Sequence, residues 1–318
     1  MSTTRPPTVP AAEGIEKVLE GETPQAPPPM GPGPRTRFFR AVMRPAFFFL
    51  LTCAAFFTAL PFLWMIMGSL KPNIEVEEPH ILPREWQWEN YAIVLRLQPD
   101  KDGVYLDIDF AKWYFNSMFV SVAITYLQLL TSAMAAYAFS RIIWPGRDKV
   151  FFLYLATMMI PPIVLMIPNF QIMVLLGFVD SYQGLILPAA FGAFGTFLLR
   201  QFMLTIPPSL DEAARIDGAS HWQAFWEVIL PLARPGLVTL AIFTMLASFQ
   251  SFFWPLVMLK SEHLFTLPIG LLNLDSTYGR QTELILAATV MSVLPLVVLF
   301  VILQKQLIRG IQLGAVKG

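Results

Sequence analysis

Four charges and a glycine stand together in an otherwise apolar chain: Asp211, Glu212, Arg215, Asp217 and Gly218, in the stretch "DEAARIDGASHWQAFWEVILPLARPG" over 211–236. Carboxylates, a guanidinium and small alanines at helical spacing are suited to recognition, through ion pairs and close contact with a second surface. They do not form a nucleophile–base set. Elsewhere the chain has no G-x-x-x-x-G-K-[ST] run to cradle a nucleotide phosphate and no H-E-x-x-H pair for zinc. His80, His221 and His263 lie far apart, so no shared metal site is expected, and no Ser–His–Asp motif supports catalysis. The single Cys53 excludes an intrachain disulfide and a cysteine cluster; inside an apolar run it reads as a small packing residue. The expectation is a chain without catalytic residues, without a metal and without a cofactor of its own.

The recognition residues need an element to present them. Pro207 and Pro208 fit a helix start, with Ser209 as N-cap and Glu212 three residues on. Asp211 and Glu212 then complement the positive helix end. Gly218 falls where this helix should bend or stop. A second amphipathic piece over 220–230 brings Trp222, Phe225 and Trp226, and Pro231 and Pro235 precede the next apolar run. Two uses remain open for this helix–bend–helix. It could dock a protein, or lie among lipid headgroups, which Trp222 and Trp226 allow.

Its surroundings are those of a membrane. Of 318 residues 55% are hydrophobic and only 14% charged, against about a quarter charged in soluble domains. Net charge is zero, so the whole chain is no nucleic-acid binder. Charge-free runs cover 45–70, 113–140, 150–179, 181–199, 235–259 and 284–304. Each can supply about 20 helical residues across hydrocarbon. An all-α polytopic membrane protein with six transmembrane helices is expected. Pro161, Pro162 and Pro168 predict a kinked third helix, with a short, re-entrant link before the fourth; the alternative is that these prolines mark helix ends.

Arg35, Arg37, Arg40 and Arg44 stand just before the first span, and the Lys/Arg bias puts both termini and the 211–236 stretch on the cytoplasmic side. Residues 1–34, rich in Pro, Ala, Gly and Glu, read as a disordered cytoplasmic tail. The span-bearing region is 35–318. Its outer loop, 71–112, carries Trp86, Trp88 and Tyr91 and reads as a turn and a helix near the interface, a small external cap.

The stretch "EAARIDGASHWQAFWEVILPLARPG", with Glu212-Ala213-Ala214, then Gly218, then Ile229-Leu230-Pro231, resembles the signature of the inner-membrane permease family of ABC importers. "SLKP" at 69–72, "WYFNSMFVS" at 113–121 and "GAVKG" at 314–318 are similar to its carbohydrate type, in particular to the smaller maltose-transporter-like subunit. The resemblance covers roughly 40–318. It implies the type I importer permease fold in the cell inner membrane. It also implies an assembly with a second, different permease subunit, two ATPase subunits that bind ATP and Mg, and an extracytoplasmic sugar-binding protein. The segment 205–235 would be the coupling segment: Glu212, Ala213, Ala214 and Asp217 would dock in an ATPase cleft, and Gly218 would permit the bend. The 314–318 tail would also reach the ATPase pair.

A sugar path would use polar groups of the spans, with Asn116, Ser117, Gln128, Ser132, Gln250, Ser251 and Trp254 as candidates. Each could equally serve helix packing. Gly184, Gly192 and Gly195 read as packing positions. The absence of deep basic residues favours a neutral sugar. Two other functions remain: a secondary transporter, for which no charge lies deep in a span, and a non-transport membrane scaffold recruiting a soluble protein.

Overall fold

The computed structural model describes residues 34–101 and 103–315. The expected 1–34 tail lies almost wholly outside the described residues. Contacts divide the chain into two units, Met1–Phe62 and Leu63–Gly318. The described part of the first is one helix, α1 (Pro34–Ser69), which runs on into the second unit. Thr52 and Thr58 turn their hydroxyls back to the carbonyls of Phe48 and Ala54, so neither hydroxyl is left free on it. Phe47, Phe48, Phe49, Phe56 and Phe57 are exposed, as a lipid-facing helix requires. Cys53 is exposed too.

Among the described residues of the second unit every element is helical. After α1 come the short α2 (Asn73–Val76) and α3 (Glu89–Val94), then α4 (Phe110–Ser140). Asp109 caps α4 through the Lys112 amide. Next are α5 (Arg147–Ala156) and α6 (Met166–Leu175), then α7 (Tyr182–Ala189) and α8 (Ala193–Thr205), bent by 41°. The amphipathic α9 (Ser209–Ile216) is followed by α10 (His221–Leu232) and α11 (Arg234–Phe249), bent by 76°. The order closes with α12 (Phe253–Met258), α13 (Leu267–Tyr278) and α14 (Thr282–Ala315).

Among the described residues three helices are long and apolar enough to cross a membrane, and up to five spans result if each bent pair is one. The remaining expected span, 150–179, is carried by α5 and α6, and here the prolines end helices. Ile160, before Pro161, leaves the helical region at φ −83°, ψ 119°, because a proline ring clashes with a helical preceding residue. The expected single kinked helix is therefore two helices of ten residues. The link to α7 is a turn with Gly177 at φ 69° and Asp180 at φ 57°. The fifth expected span also stops early, at Phe249.

α4 is the central post. One cluster joins its N-terminal half, through Phe110 and Trp113, to α3, α11, α13 and α14. Another joins Ala133, Ala136 and Tyr137 to Leu199 and Met203 of α8, Phe225 and Ile229 of α10 and Leu240 of α11. In lipid such contacts hold by close packing more than by escape from water. Gly195 is accordingly packed against Ser132 and Leu240, and Gly192 against Gln128.

Candidate functional site

Two features stand out: a charged helix at one end of the bundle and a cavity within it. The helix α9 starts a residue earlier than Ser209 implies. Pro208 is already helical at φ −60°, ψ −27°, and no side chain caps the end. Ser209 is thus inside the first turn, which corrects its reading as N-cap. The capping box belongs to α10: Ser220 Oγ accepts from the Gln223 amide and Gln223 Oε1 from the Ser220 amide at 2.9 Å.

Between these helices Gly218 sits at φ +85°. The Ala219 amide bonds the Ala214 carbonyl at 2.9 Å and the Gly218 amide bonds that of Arg215 at 3.0 Å, the Schellman pattern that ends a helix in a left-handed residue. Across the bend Arg215 Nη2 lies 2.5 Å from His221 Nε2. Glu212, Ala213, Asp217 and Gly218 are exposed, and Ala214 is half-buried. Glu212 and Asp217 form no ion pair among the described residues, whereas Asp211 turns inward to Arg141 at 2.9 Å. Trp222 and Trp226 extend the exposed face, with Trp222 58% exposed.

The cavity, about 1020 Å³, is walled by α4, α6, α7, α8, α11 and α12. Of the residues named from sequence, Ser117, Gln128, Ser251 and Trp254 line it. Trp254 is held by its Nε1–H to the Gly184 carbonyl at 3.0 Å. Ser117 faces the cavity but its Oγ accepts from the Leu267 amide at 2.7 Å. Asn116, Ser132 and Gln250 do not line it: Asn116 and Ser132 are buried in helix packing and Gln250 is exposed beyond α11. Missed from sequence were Asn169, Thr244, Ser248 and Thr266. Asn169 could have been found, being polar within an apolar run. Ser248 and Thr266 could not, because hydroxyls usually bond their own helix; here both oxygens are buried without a partner. Among the described residues no lining side chain is charged.

Apart from the cavity lining, the turn before α7 and the turn after α12 are clasped together. Asp180 accepts from the amides of Lys260 (2.9 Å) and Ser261 (3.0 Å) and from the Ser261 hydroxyl (2.5 Å). The Ser261 hydroxyl and these amides hold the Asp180 carboxyl below the usual carboxylate range.

An all-helical membrane bundle with a lined cavity and a bent, exposed charged helix defines a membrane permease. The chain belongs to the family of binding-protein-dependent transport system inner membrane components, whose family model matches residues 128–313. It is 37% identical over 268 residues to the arabinooligosaccharides transport system permease protein AraQ of Halalkalibacterium halodurans, covering 83% of this chain and 93% of the relative. It is 32% identical to the trehalose transport system permease protein SugB of Mycobacterium tuberculosis, over 82% and 93% of the two chains. Among solved structures, it superposes on a chain of a bacterial ABC transporter involved in the import of the acidic polysaccharide alginate. The TM-score is 0.73 with 27% identity, covering 86% of this chain and 98% of that one. These relatives support the importer-permease reading over a secondary transporter or a scaffold.

Proposed function

We propose that this chain forms half of the translocation pathway of an ATP-driven importer for a neutral oligosaccharide. It pairs with a second, different permease in the inner membrane, both termini cytoplasmic. The observation that carries the reading is the exposed α9 face, where Glu212 and Asp217 have no ion pair among the described residues at the end of a glycine-terminated helix. Such a face fits a cleft in an ATPase subunit, which would hold the ATP and Mg that this chain lacks the motifs to bind. Glu212, Ala213, Ala214 and Asp217 make the contact and Gly218 sets its angle. Closure of two ATPase subunits then pushes α9, the bundle opens to an extracytoplasmic sugar-binding protein, and hydrolysis resets it.

The cavity supports the cargo class. Buried hydroxyls of Ser248 and Thr266, which lack partners among the described residues, suit sugar hydroxyls, and the Trp254 ring suits a sugar face. A wall without charge offers no counter-ion to a phosphate or uronate. The test is purification of the tagged chain in mild detergent from its host, mass spectrometry of its companions, and ATP-driven uptake by the reconstituted complex. Recovery of an ATPase, a second permease and a sugar-binding protein, with uptake of a neutral oligosaccharide, is expected. A complex without an ATPase would overturn the reading, and preferential uptake of an acidic sugar would overturn the cargo class.

A further inference from the structure

We infer that Arg141 is a positioning residue that ties the docking helix to two membrane helices at once, so that movement of α9 reaches α4 and α8 together. The inference rests on the reading that α9 docks an ATPase. Arg141 directly follows α4, and its side chain is only 8% exposed. Its Nη2 donates to the carbonyls of Met203 and Ile206, the latter at 2.8 Å. These lie at the C-terminal end of α8, where the helix dipole is negative; the Met203 carbonyl also accepts from the Ile206 amide at 3.1 Å. Its Nη1 stands 2.9 Å from Asp211 Oδ2 in the first turn of α9. Among the described residues this is the ion pair that α9 makes. One guanidinium at the end of α4 therefore touches the ends of two further helices, α8 and α9, a fan of contacts that its planar fork permits and a lysine cannot reproduce.

The two sets of contacts differ in kind. The Ile206 bond has hydrogen-bond geometry. The Asp211 contact is close but unaligned: among the described residues neither carboxylate oxygen has an aligned hydrogen-bond donor, and Arg141 Nε has no acceptor. An attraction held by charge and proximity falls off slowly with angle, whereas a hydrogen bond weakens steeply. Arg141 is thus fixed to α8 and hinged to α9. That is the arrangement for passing on displacement while allowing the docking helix to tilt.

The test uses the whole reconstituted complex and reads ATP hydrolysed per sugar imported. Arg141→Gln and Asp211→Asn should each raise that ratio about tenfold, within the usual range of coupling effects. Complex recovery and ATP hydrolysis should stay near those of the unaltered protein. The double variant should be no worse than Arg141→Gln alone, because both changes break one link. Arg141→Lys, keeping the charge but not the fork, should recover part of the loss. An unchanged ratio in Asp211→Asn overturns the inference. So does a fall of uptake and hydrolysis in parallel with complex recovery, which marks a purely structural residue. Failure of the underlying reading would look different: the unaltered complex would contain no ATPase or import nothing with ATP.

Discussion

The two ends of α4 grip their neighbours differently. At the N-terminal end neutral groups close on one another. Asn116 Nδ2 donates to the carbonyls of His263 (3.1 Å) and Phe265 (2.9 Å), and its Oδ1 accepts from the Tyr182 hydroxyl at 2.7 Å. Ser117 holds the Leu267 amide. At the C-terminal end a single charge joins α8 to α9, and beyond it Glu212 and Asp217 have no ion pair among the described residues on an exposed face. Neutral, aligned bonds in a buried site fix one geometry. Charge with poor alignment tolerates several. The first end is built as a clasp and the second as a joint, so substitutions should cost stability at one and transport at the other.

The largest effect should come from the joint. Gly218→Val forces a β-branched side chain to φ +85°, although a Cβ there would meet no atom within 4 Å. The penalty is therefore backbone strain alone, about 1–2 kcal/mol or more for a residue of this shape. Uptake should fall by roughly tenfold or more while membrane abundance, read by immunoblot, is kept. Gly218→Asn, which tolerates the left-handed region, should retain most uptake. Normal uptake by the valine variant would remove the bend from the mechanism.

Asn116→Ala tests the clasp. The residue is 1% exposed, and its loss leaves two carbonyls and the Tyr182 hydroxyl short of a partner. The expected destabilisation is about 2–4 kcal/mol, seen as a lower unfolding temperature of the purified complex. Uptake should fall only as the folded fraction falls, with ATP hydrolysed per sugar unchanged. A raised ratio would show that both ends of α4 belong to the joint.

The joint was the more legible end in the sequence. Asp211, Glu212, Gly218 and the flanking prolines stand out against apolar runs, because charge and left-handed backbone are costly where nothing requires them. The helix, its stop and its exposed acids all follow from that local pattern. The clasp is invisible to such reasoning. Asn116 reads as a pathway residue, yet its partners lie at 182, 263 and 265, and no local rule brings these together. Arg141 likewise reads only as the charge that ends a span. The spans show the same limit. Long helices such as α4 follow from apolar length. The break at Pro161 and the end of α11 at Phe249 depend on what the neighbouring helices can satisfy.

The smallest effect concerns Asp180, whose carboxylate holds the Lys260–Ser261 turn that leads into the His263 side of the clasp. Bonds from the Ser261 hydroxyl and amide and the Lys260 amide lower its proton affinity, and the nearby His263 adds to the effect. A carboxyl whose folded value is depressed adds stability that is fully present above its unfolded value, about 3.9. That stability is lost as the pH falls through the lower folded value. At neutral pH the clasp should thus be closed, and it should loosen only below about pH 4. Hydrogen exchange at the Lys260 and Ser261 amides, corrected for the intrinsic effect of pH, should accelerate there in the unaltered protein. In Asp180→Asn the same amides should exchange faster at pH 7 and show no further loosening in acid. The α9 amides should be indifferent to this change. If they respond as well, the clasp and the joint are not separate devices but two ends of one coupled element.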